Sequence, residues 1–245
     1  MSSPAFSDPA GFQTLEKFAA APAFNRWLYQ AIRPELKGRI LEIGSGTGNI
    51  SQFLLAGHTE VSLSDLRPEY GDILELKFKK DPHLGGIHLL DLSLPDFDNR
   101  YAGLLGCFDT VVALNVLEHI ADDLEALVNA GKLLSGQGKL VLLVPAFPAL
   151  FNSLDRELGH FRRYTPDSLE RLLLSAGLQF TGCRYFNTAA IPGWWLSGSL
   201  LHHKMISATT LNWFNRLVPV FRTLDRMTSS FAGISLISTG IKNLT

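Results

Sequence analysis

The sequence predicts an α/β fold built on a doubly wound, mostly parallel sheet, and three observations support this prediction. Strand and helix patterns alternate between residues 39 and 144. The first strand pattern runs directly into a glycine-rich turn, and polar residues follow several later strand patterns. Such alternation is typical of parallel strands joined by helical crossovers, whose right-handedness fixes most of the topology. A chain of 245 residues with 46% apolar residues can bury one sizeable core, so we expect one domain with an elaboration.

The N-terminal part predicts two helices that lie over the glycine-rich turn. Apolar residues recur at helical spacing through residues 12–32, and Pro22 divides the pattern into two pieces. We therefore interpret residues 1–37 as an N-terminal helical cap. These residues show neither a basic start nor a continuous apolar run, so no secretory signal is predicted.

The glycine-rich turn, residues 39–50, has the pattern expected of an adenosine-type cofactor loop. Gly44, Gly46 and Gly48 alternate with small residues, which allows unusual backbone dihedrals and close approach of a ligand to the main chain. Asn49 follows directly, so the final glycine of the dinucleotide fingerprint is missing and a pyrophosphate ligand is disfavoured. The alternative interpretation is a strand-to-helix turn that merely requires glycine.

Polar residues stand at the ends of the next predicted strands. The patterns predict strands at residues 60–64, 86–90, 108–113 and 139–144 and helices at 68–80, 99–105 and 120–134. Asp65, Asp91 and Asn115 follow three of these strands. Ligands bind at such strand ends in parallel sheets, where Asp65 could accept hydrogen bonds from ribose hydroxyls and Asp91 from an adenine amine. Each aspartate could instead be a turn former or helix cap.

Together, these residues and the stretch Phe108 to Ile120 resemble the class I S-adenosylmethionine-dependent methyltransferases over about residues 38–186. The resemblance implies a Rossmann-like sheet of seven strands, S-adenosylmethionine as cofactor and S-adenosylhomocysteine as product. It implies that the glycines bind the methionine and ribose parts, Asp65 the ribose, Asp91 the adenine, and that Glu42 orders the loop. The implied cofactor-binding residues are Glu42, Gly44, Ser45, Gly46, Gly48, Asp65, Leu66, Asp91, Leu92, Asn115 and Val116.

Residues 145–164 are expected to form a ligand-side loop rather than a core element, because they follow a strand end and contain two prolines, with a third at Pro166. Their Gly-His-x-Arg-Arg-Tyr pattern resembles a bacterial subset of the same family. We predict that the loop binds the acceptor, and that His160 is the first candidate for a general base. A network that pins the loop is the alternative role. The predicted substrate-binding residues are Asp155, Arg162, Arg163 and Tyr164, with Trp194 and Trp195 from the next segment.

Glu118 and His119 follow the fourth strand. Glu118 is interpreted as a helix N-terminal residue, where a carboxylate interacts well with the helix dipole. His119 is either a structural histidine or the second candidate for a general base. No metal site is predicted.

The C-terminal part departs from the alternating pattern. A sixth strand is predicted at residues 179–186, a helical insertion at 187–230, and a final antiparallel strand within 231–245. The uncharged run at 185–201 is too short and too rich in Gly and Pro to span a bilayer. Apolar residues between 211 and 224 predict an amphipathic helix with arginines on its other side, bent by Pro219. The insertion is interpreted as a substrate lid, a membrane contact or an oligomer interface; packing of both tryptophans in the core is the alternative.

Charge and composition narrow the functional class. Residues 184–245 carry a net charge of +5 and residues 1–183 a net charge of −6, which suggests an anionic partner for the C-terminal part or simply a solvated basic face. Sparse basic residues argue against nucleic acid. We predict methyl transfer, with oxygen as the favoured acceptor atom, to a small hydrophobic or amphiphilic molecule, including lipid-linked or anionic ones. The expected location is cytoplasmic, including peripheral contact with the inner face of the membrane. A catalytically silent cofactor-binding partner and a nicotinamide-dependent oxidoreductase are the alternatives.

Overall fold

The computed structural model describes residues 9–203, 205 and 207–243, and it confirms the predicted fold class. Seven strands form one sheet in the order β3-β2-β1-β4-β5-β7-β6, in which β7 is antiparallel to both its neighbours and the other pairs are parallel. The strands are β1 (Ile40–Ile43), β2 (Val61–Asp65), β3 (Leu84–Leu89), β4 (Phe108–Leu114), β5 (Leu134–Pro145), β6 (Leu178–Phe186) and β7 (Ser235–Lys242).

Ten α-helices connect or flank these strands in the described part of the chain. They are α1 (Pro9–Ala19), α2 (Pro22–Ile32), α3 (Ser51–Gly57), α4 (Pro68–Phe78), α5 (Phe97–Arg100), α6 (Asp123–Leu133), α7 (Ser153–Glu157), α8 (Pro166–Ser175), α9 (Ala190–Trp194) and α10 (Ala208–Thr228). Short 3-10 turns lie at Arg33–Glu35, Ala102–Leu104, Leu117–His119 and Pro148–Leu150, and a π-helical turn at Trp195–Leu200 continues α9. None of the helices in the described ranges is both long enough and apolar enough to cross a membrane.

The sheet separates two apolar layers because its central strands bury both faces. Alternate residues point to opposite faces of a strand, so Leu41 and Val111 join α6 and α8 on one side. Ile40 and Val112 join α2, α3 and α10 on the other. All four residues of β1 are buried. The helices therefore cover both faces, as a doubly wound sheet requires.

Helix caps account for two of the boundaries near the carboxyl edge of the sheet. The Asp122 side chain accepts a hydrogen bond from the Glu125 amide and starts α6. Thr165 and Ser168 form a reciprocal capping box with Pro166 at the first helical position, which starts α8.

Several predicted boundaries were wrong, among them the starts of α6 and β5. The helix expected from residue 120 begins at Asp123, because Leu117–His119 forms a separate 3-10 turn. The strand expected at 139–144 extends over Leu134–Pro145, since Leu134 pairs with Phe108 beyond an irregularity in the register. The first difference changes the position of Glu118 and so affects the site.

Candidate functional site

The glycine loop lies at the carboxyl edge of the sheet, between β1 and α3. Gly44, Gly46 and Gly48 all have positive φ, at 71°, 52° and 82°, a region that residues with a Cβ rarely adopt. A Cβ on Gly44 would lie 2.5 Å from Val116 Cγ2, and one on Gly46 would lie 2.7 Å from Leu15 Cδ1. Each of these glycines is therefore required by its backbone conformation and by its neighbours.

Helix α1 covers the inner part of this loop. Asn49 Nδ2 donates to the Leu15 carbonyl at 2.9 Å, and Ser45, Gly46, Thr47 and Gly48 are buried. Gly44 is the exposed glycine of the three. The open part of the cleft therefore begins at Gly44.

Glu42 is the buried acid beneath the loop. Its carboxylate accepts a hydrogen bond from the Ser51 hydroxyl at the start of α3, and its main-chain oxygen accepts from Ser64 Oγ at 2.9 Å. Burial raises the pKa of Glu42 to about 7, although the Ser51 hydrogen bond opposes this increase. These contacts join β1, β2 and α3, which matches the loop-ordering role implied for Glu42.

Asp65 also holds the loop. Its carboxylate accepts from the Gly46 amide at 2.9 Å and from the Arg67 amide at 3.1 Å. Burial raises the pKa of Asp65. Each carboxylate oxygen can accept a second hydrogen bond, so these contacts are compatible with a ribose ligand. The ribose role itself stays a prediction.

The remaining predicted cofactor residues surround the same edge of the sheet. Leu66 and Asn115 are exposed, and Asn115 has a left-handed φ of 54° directly after β4. Asp91 accepts from the Ser93 amide at 2.8 Å and from its hydroxyl at 2.6 Å. Leu92 packs in the core, so any cofactor contact of this residue would come from its main chain.

Residues 145–164 are a partly buried structure, and their description as a loop outside the core was partly wrong. Ala146 and Tyr164 form a parallel bridge, while Leu154, Asp155, Arg163 and Tyr164 are buried. The physical reason is a charge network around Asp155. Arg163 Nε donates to both Asp155 oxygens at 2.9 and 3.0 Å, and Arg163 Nη1 donates to the Ala146 carbonyl at 2.9 Å.

Asp155 contacts His160 as well. The Asp155 Oδ1 atom lies 2.9 Å from His160 Nδ1, and the Asn152 amide donates to Asp155 Oδ2 at 3.0 Å. Burial alone would raise the pKa of Asp155, but His160 and the charge of Arg163 hold it below its usual value. A carboxylate on Nδ1 makes that nitrogen the donor and leaves Nε2 as the acceptor.

The other two predicted substrate residues on this segment contact Asp123 of α6. Arg162 Nη1 lies 2.6 Å from Asp123 Oδ2, and the Tyr164 hydroxyl donates to the same oxygen at 2.9 Å. Burial and the neighbouring charge of Asp123 raise the pKa of Tyr164. The substrate role of Asp155, Arg162, Arg163 and Tyr164 stays a prediction, for which these protein contacts give no support. They support the alternative role, a network that pins the segment.

Glu118 lies in the 3-10 turn after β4 and not at a helix N-terminus, which corrects its interpretation. It is fully buried, and burial raises the pKa of its carboxyl group to about 8. The His119 and His160 rings meet nearly at right angles, with centroids 4.7 Å apart. The Phe161 amide donates to the Glu118 carbonyl at 2.8 Å and fixes the segment to this turn. The sequence analysis assigned Glu118 no chemical role, although its position next to His119 was a usable signal.

The insertion is fastened to the same segment. The Arg163 guanidinium lies 4.8 Å from the centroid of the Trp194 ring, and Ser153 Oγ donates to the Gly198 carbonyl at 2.8 Å. Trp194 is half-buried by these contacts, whereas Trp195 is 50% exposed. Neither Trp194 nor Trp195 is fully packed in the core, and a substrate-binding role for both stays a prediction.

Helix α10 carries two apolar stripes, of which the sequence analysis recognised one. The first contains Leu211 and Val218 and packs on the core near α2. The second is exposed by 41–74% and consists of Trp213, Leu217, Val220, Leu224 and Met227. The sequence pattern grouped Leu217 and Leu224 with Leu211 and Val218 on one apolar side; they lie on the exposed stripe, because Leu211 and Val218 face the core.

Comparison with known proteins agrees with this geometry. A family model described as a methyltransferase domain matches residues 15–181. The ubiquinone biosynthesis O-methyltransferase of Xanthomonas euvesicatoria pv. vesicatoria (strain 85-10) is 28% identical over 197 residues, covering 67% of this chain and 80% of its own. The ubiquinone/menaquinone biosynthesis C-methyltransferase UbiE of Geobacter sp. (strain M21) is 28% identical over 130 residues. That match covers 51% of this chain and 52% of the relative.

Solved structures share the fold. A putative methyltransferase from Bacillus halodurans C-125 has a TM-score of 0.57 at 14% identity, covering 92% of this chain and 100% of its own. A SAM-dependent methyltransferase from Archaeoglobus fulgidus has a TM-score of 0.58 at 18% identity, covering 89% and 94% respectively.

Proposed function

The chain belongs to the class I S-adenosylmethionine-dependent methyltransferases, and from that premise we propose that it methylates an oxygen atom of a small amphiphilic acceptor at a lipid surface. The observation that carries the proposal is the Asp155–His160 pair beside the turn after β4. It offers an oriented base at the edge of the sheet where the glycine loop opens.

The described residues fit S-adenosylmethionine at the glycine loop. Gly44 is exposed and has no room for a side chain, while Asp65 ends β2 and Asp91 lies two residues beyond the end of β3. The cofactor supplies an activated methyl group on a sulfonium, so the protein's contribution is mainly positioning. Glu42 and Asp65 keep the loop in its conformation, and Leu66, Asn115 and Val116 line its open side.

His160 is the proposed base for a hydroxyl acceptor. Asp155 holds Nδ1 as a donor, so Nε2 can accept the proton of the acceptor as its oxygen attacks the methyl carbon. The name of the Xanthomonas relative supports oxygen as the methylated atom and a lipid-linked ring as the acceptor class. The name of the Geobacter relative supports methylation of carbon, which is the second candidate.

The exposed stripe of α10 supports a lipid surface as the place of reaction. Its five residues follow one another at intervals of four and three, which places them on one side of the helix. Arg216 and Arg226 are exposed, while Asp225, the one acidic residue of α10, is buried and accepts from the Thr188 amide. An exposed apolar stripe on a helix that also exposes two arginines fits a bilayer with anionic headgroups. In this proposal the protein is cytoplasmic and peripheral at the inner face of the membrane.

A methyl-transfer assay tests the chemistry. The protein, S-adenosylmethionine and a prenylated catechol are incubated, and the product is examined by mass spectrometry, with the unprenylated catechol as comparison. We expect a methyl ether, preference for the prenylated compound, and a rate loss of about 10²- to 10⁴-fold in His160→Asn. Full turnover in His160→Asn refutes the base, and a carbon-methylated product refutes the oxygen assignment. Binding of S-adenosylhomocysteine without any product supports a silent binding protein.

Vesicle sedimentation tests the lipid surface separately. Wild-type protein should sediment with vesicles that contain phosphatidylserine, and Val220→Asp should not. Leu76→Asp is the matched control, because Leu76 is 80% exposed on α4 and should retain binding. Equal binding by Val220→Asp refutes the surface. If the protein instead self-associates through Val220 and does not bind vesicles, the exposed stripe of α10 binds a second copy of the chain and not a lipid surface.

A further inference from the structure

We propose that Glu118, His119 and His160 form a binding site for one divalent transition-metal ion of the Zn²⁺ class. Each residue offers one ligand atom, and these three atoms all lie within 4.8 Å of one another. No other such group of three His, Cys, Asp or Glu residues occurs among residues 9–203, 205 and 207–243. The inference goes beyond the proposed methyl transfer, because binding of the ion does not depend on it.

The Glu118 side chain is buried without a hydrogen-bond partner for its carboxylate from any other described residue. It is 0% exposed, and apart from the residue's own amide neither carboxylate oxygen has a hydrogen-bond partner in the part of the chain described. Buried polar atoms are nearly always satisfied, and a buried charge is usually paired or coordinates a metal. The nearby Arg163 already donates to Asp155 and to the Ala146 carbonyl. A cation between Glu118 and the two rings would satisfy this carboxylate.

The orientation of His160 also fits a metal site. Metal-binding histidines commonly donate their other ring nitrogen to a carboxylate, which fixes the tautomer and strengthens the ligand. Asp155 occupies this position at 2.9 Å from Nδ1 and is itself held by Arg163. The Nε2 atom of His160 is therefore the available ligand atom.

The ligand types indicate which ion fits. Two imidazoles and one carboxylate are the ligands of open Zn²⁺ sites, which keep a fourth position for water or substrate. Mg²⁺ and Ca²⁺ prefer oxygen ligands and are disfavoured by the two imidazoles. Zinc–ligand bonds of about 2.0–2.2 Å require ligand atoms about 3.4 Å apart. The ligand atoms must therefore approach one another by up to about 1.4 Å on binding, which the exposed His119 can provide.

The site also explains why residues 145–164 are joined to the turn after β4. The Phe161 amide donates to the Glu118 carbonyl, and this bond brings His160 to the other two ligands. An ion held there would occupy the lone pair of His160, so the ion and the acceptor proton compete for the same nitrogen. If a hydroxyl group of the acceptor bound the ion at its open coordination position, the ion would lower the pKa of that hydroxyl, as Zn²⁺ lowers the pKa of bound water. The proton would then pass to solvent water.

Metal titration of the chelator-treated full chain tests the site. Calorimetry with Zn²⁺ and ligand-field absorption with Co²⁺ should show one ion per chain in a four- or five-coordinate site. We expect affinity losses of at least tenfold in Glu118→Gln and His119→Asn, and of 10- to 100-fold in Asp155→Asn, which removes the carboxylate that accepts from His160 Nδ1 and pairs with Arg163. His83→Gln, remote from the site, is the control and should bind as the wild type does.

Three outcomes overturn the proposal. These are the absence of one-to-one binding by the wild type, equal affinity in wild type and His119→Asn, and an octahedral Co²⁺ spectrum that the variants do not change. His119 is exposed, so His119→Asn is expected to fold even if Glu118→Gln does not. Urea unfolding of each variant identifies any loss of affinity that comes from misfolding. None of these measurements uses methyl transfer as a readout.

Discussion

The buried carboxyl group of Glu42 should make stability depend on pH in a way that Glu42→Gln abolishes. The side chain is buried beneath the glycine loop, and burial raises its pKa from 4.5 to about 7 in the folded protein. A group whose pKa is higher in the folded state contributes stability below its unfolded pKa and loses it as pH rises through the folded pKa. The wild type should therefore become less stable between about pH 4.5 and pH 7 through this group.

The size of the effect follows from the two pKa values. A shift of one pKa unit corresponds to about 1.4 kcal/mol, and between pH 5 and pH 9 the two titrations of Glu42 give a loss of about 2.5 kcal/mol. Glu42→Gln keeps the shape and an oxygen that can accept from Ser51, but it has no charge to bury. The stability difference between variant and wild type should therefore shift by about 2.5 kcal/mol in favour of the variant over this range.

Urea unfolding at half-unit steps of pH, followed by tryptophan fluorescence, measures this difference. For a chain of this size the change corresponds to about 5–10 °C in melting temperature at pH 9. Ser51→Ala should move the decrease to higher pH, because the Ser51 hydrogen bond lowers the pKa of Glu42. The exposed Glu75→Gln controls for net charge. A stability difference that stays constant from pH 5 to pH 9 would refute the reasoning.

Three further predictions concern single contacts. Asp155→Asn should cost about 3–5 kcal/mol in urea unfolding, because it leaves the buried Arg163 without its carboxylate. Gly44→Ala should weaken S-adenosylhomocysteine binding in calorimetry, because the new Cβ would lie 2.5 Å from Val116 Cγ2. Adding Val116→Ala should recover part of the lost affinity. If it recovers none, the positive φ of residue 44 alone causes the loss. Tyr164→Phe should cost about 1.5 kcal/mol by losing its hydrogen bond to a carboxylate, and an unchanged unfolding midpoint would contradict this.

The cofactor end of the molecule could be predicted because its signals are local. The conformations of Gly44, Gly46 and Gly48 depend on a turn of few residues, and Asp65 is placed by the end of its own strand. Neighbouring parallel strands end at the same edge of a sheet, so their order along the chain suffices to bring such residues together. No long-range contact had to be known.

Glu118 could not be placed because its position depends on where the next helix begins. The apolar pattern allowed a start at residue 120, and only the Asp122 cap shows that α6 starts at Asp123. This shift of three residues leaves Leu117–His119 as a separate turn and directs Glu118 into the protein. The burial of the Glu118 carboxylate therefore follows from the Asp122 cap at the start of α6. Hydrophobic periodicity in the sequence does not reveal such a cap.

The exposed stripe of α10 was missed for a different reason. Both of its faces are apolar, so periodicity identifies a helix without saying which face meets the core. Phe24 contacts Phe214 at a centroid distance of 6.0 Å, and the Phe24 amide donates to Asn215 Oδ1. These contacts determine which face of α10 packs on the core. Both are contacts between segments about 190 residues apart in sequence, and they leave Trp213, Val220 and Met227 outside.

Residues 145–164 link the proposed lipid-facing insertion to the proposed catalytic histidine through direct contacts. Ser153 Oγ lies 2.8 Å from the carbonyl oxygens of both Gly198 and His203 in the insertion and can donate its one proton to either. Two residues further, Asp155 accepts from His160, and its partner Arg163 lies against the Trp194 ring. A displacement of the insertion on a bilayer would therefore act on Asp155 through one short helix and one ring contact. Because Asp155 orients His160, docking at a lipid surface and the readiness of the base are expected to be energetically coupled.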